Sequence, residues 1–128
     1  MRIELTWNPL TDDLHAPLRW RKQSLVLVPP GVFDLDHVPD DVLARVVAVM
    51  VLAERHEFLL VTYRPSRPRM LLCSLTFLRD VQTQAVRLAR EHAINTEWAA
   101  RATDPKTMPP QHIRLFADAD WLKPEVAE

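Results

Sequence analysis

Two unbroken apolar runs, separated by a helix-like stretch of the right length, constrain this chain more than any other feature. Residues 24–28 read Ser24-Leu25-Val26-Leu27-Val28, and residues 58–63 read Phe58-Leu59-Leu60-Val61-Thr62-Tyr63. Neither run alternates apolar with polar, so each predicts a strand buried on both faces, as parallel strands are. Between them, Pro39-Asp40-Asp41 opens a helix, with acids in the first turn to suit the helix dipole and Asp40 as the expected cap. Val42, Val46, Val49, Met50 and Ala53 then recur at helical spacing, and Leu43 and Val47 widen the stripe. Strand, helix and strand within about forty residues make a βαβ unit, whose crossover is expected to be right-handed.

The flanks extend this unit. Ile3, Leu5 and Trp7 alternate with Arg2, Glu4 and Thr6, the period of a half-exposed strand, and Asn8-Pro9 breaks it. Arg64-Pro65-Ser66-Arg67-Pro68-Arg69 reads as a basic, proline-stiffened loop at the carboxyl end of the second buried strand. Residues 74–93 predict a helix with Leu78, Val81, Ala85, Leu88 and His92 on one face. Asn95-Thr96 caps a short helical continuation to residue 102, residues 113–116 form a last short strand, and residues 118–128 read as a frayed acidic tail. The expected fold is therefore α/β: one domain over residues 1–128, with a small, mainly parallel sheet of three or four strands flanked by two or three helices.

Composition removes several function classes. The chain carries one glycine against eleven prolines. With Gly31 alone, neither a Gly-rich dinucleotide fingerprint nor a P-loop can be built. Sixteen basic residues nearly balance 17 acidic ones, and a net charge of -1 gives no global pull toward nucleic acid or an anionic membrane. The single cysteine, Cys73, excludes an intramolecular disulfide and a multi-cysteine metal site. Its place in Leu71-Leu72-Cys73 predicts a buried, inert thiol. No apolar segment follows the polar start, and the longest apolar stretch, residues 46–53, is too short to span a bilayer. A soluble, cytoplasmic protein is expected.

Three segments in order carry a family resemblance. Thr6-Trp7-Asn8-Pro9-Leu10-Thr11 resembles a Trp-Asn-Pro-x-Thr opening. Pro17-Leu18-Arg19-Trp20-Arg21-Lys22 follows, with Asp34 and His37-Val38-Pro39-Asp40 after the strand. Ala48-Val49-Met50 and then Val61-Thr62-Tyr63-Arg64-Pro65 resemble a segment that ends Leu-Thr-Lys-Arg-Pro in the family. Together they resemble a phage-encoded family of radical-SAM-like proteins of unestablished cellular role, over residues 2–70. The resemblance implies a βαβ core of a partial barrel and a phage or prophage setting. It does not carry over the activity: the family's three-cysteine motif holds an iron–sulfur cluster, which needs several thiolates, and Thr11 here runs on into Asp12-Asp13-Leu14-His15 instead. No catalytic residue transfers, and no cofactor is expected.

Three groups of residues remain as candidates for chemistry. Asp34, Asp36 and His37 lie just beyond the first buried strand, where open α/β sheets place ligands, and carboxylates with imidazole suit zinc, iron or manganese. The competing reading is a turn and helix-start cluster. Arg64, Arg67 and Arg69 share one segment, and guanidinium forks suit phosphates and carboxylates. His15, His56, His92 and His112 show no metal-motif spacing, and His92 reads as the edge of a core. Of the four tryptophans, Trp98 and Trp121 lie outside the family match and are the ones expected to face a partner. The leading expectation is a non-catalytic, phage-derived accessory protein that binds a host protein or complex through Arg64, Arg67, Arg69, Trp98 and Trp121, for example as an inhibitor of host defence. The alternatives are a residual metal-binding enzyme at Asp34, Asp36 and His37, or a nucleic-acid-binding module at residues 64–69. Self-association is a further way to hide uncovered sheet edges and helix faces.

Overall fold

The computed structural model describes residues 3–35 and 37–117, of which Phe116 and Ala117 are described by backbone alone. Asp36 and Trp121, both expected site residues, lie outside the described residues.

Strands β1 (Ile3–Thr6), β2 (Ser24–Val28), β3 (Glu57–Thr62) and β4 (Ile113–Ala117) form one sheet in the order β1-β2-β3-β4, every pair parallel. Helix α1 (Asp40–Leu52) joins β2 to β3, and helices α2 (Ser66–Leu72), α3 (Leu75–Glu91) and α4 (Thr96–Ala102) join β3 to β4. The α/β class and the parallel sheet agree with the sequence. A sheet wound in chain order has a consequence: with right-handed connections, every crossover falls on the same face.

Burial follows that geometry. Val26, Val28, Phe58 and Leu60 are buried toward the helices, and Trp7 joins them with its indole edge-on to Phe58 at 5.9 Å. Helix α1 lies between this face and α3, so nine of its residues, including Leu43, Ala44 and the whole stretch from Val46 to Leu52, are buried. A helix wrapped in this way must be apolar almost all round. The expected stripe was therefore too narrow. Its start also lies one residue earlier than expected, with Pro39 at the cap position and Asp40 and Asp41 in the first turn.

Helix α3 is the amphipathic one, burying Phe77, Leu78, Val81, Ala85 and Leu88, with the Ser74 side chain accepting from the Phe77 N–H. It ends in a Schellman turn: the Ile94 N–H donates to the Ala89 carbonyl at 2.8 Å, and Ala93 sits at φ 56°. Glycine normally fills that left-handed position, and this chain spends its single glycine on Gly31, at φ 104°. Asn95 caps α4 as expected, accepting from the Trp98 N–H.

Three expectations are corrected. The basic segment after β3 is helical from Ser66, because Pro68 falls in the first turn, where a missing N–H has no intrahelical partner to lose. Cys73, at the carboxyl end of that helix, is exposed rather than buried. The two apolar strands are buried on one face only: β2 and β3 alternate between buried and more accessible positions.

Candidate functional site

The face of the sheet turned away from the helices carries Glu4 and Thr6 on β1, Leu25 and Leu27 on β2, Glu57, Leu59 and Val61 on β3, with Tyr63 just beyond, and Arg114 on β4. Its centre is aliphatic, with Leu27 directly opposite Leu59 across the ladder. Leu27 is 38% exposed and Tyr63 65% exposed. Leu25, Leu59 and Val61 are half-buried and do not join the core. One end of the face is charged, where the Arg114 guanidinium donates to the Glu57 carboxylate at 2.7 Å. The other ends in the Tyr63 ring. Among the described residues, every helix packs on the opposite face.

The carboxyl end of the sheet is built around Asp34. The Thr62 hydroxyl donates to Asp34 Oδ1, and the Tyr63 N–H donates to Asp34 Oδ2 at 3.0 Å. Arg64 reaches back to the Asp34 carbonyl at 3.1 Å, and Arg67 donates to the Leu35 and Val38 carbonyls while its guanidinium lies 3.8 Å from Asp40. The structure thus does bring Asp34 together with two of the expected arginines, but as a clamp. Its hydrogen bonds tie the β2–α1 connection to the end of β3, and each oxygen of the carboxylate accepts one of them. The nearby guanidinium groups also oppose a cation at Asp34. His37 and Arg69 are exposed, the latter in the last turn of α2.

The arginines and Trp98 do not share a surface. Trp98 is half-buried against the core, in a cleft with Pro17, Leu18, Leu52, Ala53, Arg55 and Ile94 beside the start of β3. Arg64 follows the end of β3, and a six-residue strand separates its two ends by about 20 Å. Trp20 also packs on the core, edge-on to His56 at 5.7 Å. His56 is fully buried, and its Nδ1 accepts from the Ser24 N–H at 3.1 Å. Burial pushes its pKa down, Arg55 adds to the effect, and the carbonyls of Pro17 and Trp20 pull the other way.

The aliphatic face is what sequence reasoning missed. Each strand run is apolar at both odd and even positions, so pattern alone cannot say which set of side chains is covered. The signal that was available is the order of elements, since a chain wound in one direction covers a sheet on one side. No family model, curated protein or solved structure matches this chain.

Proposed function

We propose that this chain is a non-catalytic binding domain that docks on another protein through the open face of its sheet. The observation that carries the reading is the aliphatic centre formed by Leu25, Leu27, Leu59 and Val61 on an all-parallel sheet. Parallel sheets are stable with both faces covered, so a second layer completes this one. The partner element is apolar along its middle. At one end it meets the Glu57–Arg114 pair, and at the other Tyr63, an aromatic of the kind that anchors protein interfaces. The resemblance of residues 2–70 to a phage-encoded family supports a host protein as that partner, with inhibition of host defence as the role. Arg64 follows Tyr63 in the chain, at that end of the face.

The test is affinity capture from host lysate with four forms of the protein: wild type, Leu27→Glu, Leu59→Glu, and Arg79→Ala on the exposed side of α3. The expected result is a partner held by wild type and Arg79→Ala and lost by both glutamate variants, whose folds are checked by circular dichroism. Capture that survives both glutamate substitutions, or no capture at all, would overturn the reading. A wild-type dimer that Leu27→Glu dissolves would replace the host partner with a second copy of the chain.

A further inference from the structure

Away from the open face, the fold brings together two histidines that sequence spacing had set aside and a glutamate. His15 precedes the short 3-10 turn Ala16–Leu18 in the β1–β2 connection, while Glu91 and His92 end α3. One ligand atom from each lies within 4.8 Å of the others, and the two imidazoles stand edge-to-face at 5.1 Å and 85°. We propose that His15, Glu91 and His92 bind a divalent transition metal of the zinc class.

The ligand set fits. Imidazole and carboxylate both bind zinc, and two His with one carboxylate leave a coordination position open. At Zn–N bonds of about 2.0–2.1 Å, tetrahedral ligand atoms are about 3.4 Å apart, against the present limit of 4.8 Å. Neither histidine is locked in a core; both are half-buried, and Glu91 is exposed.

The backbones that carry them are fixed. The His15 N–H donates to Asp13 Oδ1 at 3.0 Å, and the His15 carbonyl accepts from Leu18. Asp13 is anchored in turn: its carbonyl accepts from the buried Trp7 indole at 3.1 Å, and its carboxylate pairs with Arg19. On the other side, the Schellman turn through Ala93 fixes the end of α3, and the His92 N–H donates to the Leu88 carbonyl at 2.9 Å. The site therefore sits at the carboxyl end of a 17-residue helix, the end that favours a cation.

A cavity of about 250 Å³ adjoins the cluster, lined by His15, Arg45, Gln84, Arg87, Leu88 and Glu91. Arg45 and Arg87 work against a bare dication there. They favour an anion, such as a carboxylate or phosphate oxygen, in the open coordination position.

The experiment is a calorimetric titration of the chain with Zn²⁺, repeated with Co²⁺ so that a tetrahedral site is read from its visible absorption. One metal per chain is expected, with His15→Gln and His92→Gln each weakening binding by about tenfold or more, and His37→Gln leaving it unchanged. Melting each variant without metal separates a folding defect from a lost ligand. Absence of 1:1 binding, binding indifferent to His15 and His92, or loss on His37→Gln would overturn the proposal. None of these outcomes bears on the open sheet face.

Discussion

The two faces of the sheet are made from the same strands and nearly the same residues, yet they have opposite fates. Val26 and Leu27 are neighbours on β2; Val26 is fully buried under α1, and Leu27 is 38% exposed on the other side. Leu60 and Leu59 divide in the same way on β3. What separates them is the winding of the chain, because crossovers of one hand in a sheet wound in chain order stack the described helices on one side. Residue type alone thus says that a strand is buried, while connectivity says on which side.

Truncating one leucine on each face separates the two sides most strongly. Leu60→Ala, at a position 2% exposed, is expected to destabilise the fold by about 2–5 kcal/mol, and Leu59→Ala by under about 1 kcal/mol. Urea unfolding of the two variants measures the contrast, and equal losses would mean that both faces are covered. Next in size, Asp34→Ala removes the acceptor for the Thr62 hydroxyl and the Tyr63 N–H, and Thr62 is 1% exposed. A loss of about 1–3 kcal/mol is expected in the same assay. Stability unchanged by Asp34→Ala would detach this residue from the architecture and return it to the list of candidate ligands.

Ala93→Gly sharpens the helical side. A left-handed alanine costs about 1–2 kcal/mol, partly offset by the greater freedom of glycine when unfolded, so a gain of about 0.5–1 kcal/mol is expected on thermal melting. The last effect appears only below neutral pH. Burial lowers the His56 pKa in the folded state, so the unfolded chain binds the proton more tightly. Its contribution is present above the ordinary histidine pKa of about 6.5 and declines as the pH falls below it. Protonation would also cost the acceptor for the Ser24 N–H. The melting temperature should therefore drop from pH 7.5 to pH 5.5, and less steeply in His56→Leu.

Much of the architecture was legible in the residues. Unbroken runs marked β2 and β3, acids after Pro39 marked the start of α1, and Asn95 marked α4. Segment 64–69 misled because two prolines in six residues read as a breaker, although a proline in a first helical turn breaks nothing. The candidate site was less legible. Asp34 stood out as a carboxylate beyond a strand, but its role as a clamp depends on Thr62 and Tyr63, brought to it by strand pairing. His15 and His92 are joined only by tertiary packing, so no spacing rule could link them.

On the proposed reading, the aliphatic face is where this protein meets its partner. Hydroxyl-radical footprinting tests it most directly, comparing the isolated chain with the captured complex. Leu27, Leu59 and Tyr63 are expected to be modified in the isolated chain and protected in the complex, while Met70 on α2, exposed and off that face, is modified equally in both. Protection confined to Met70 or to the helices, with Leu27 and Leu59 unchanged, would contradict it.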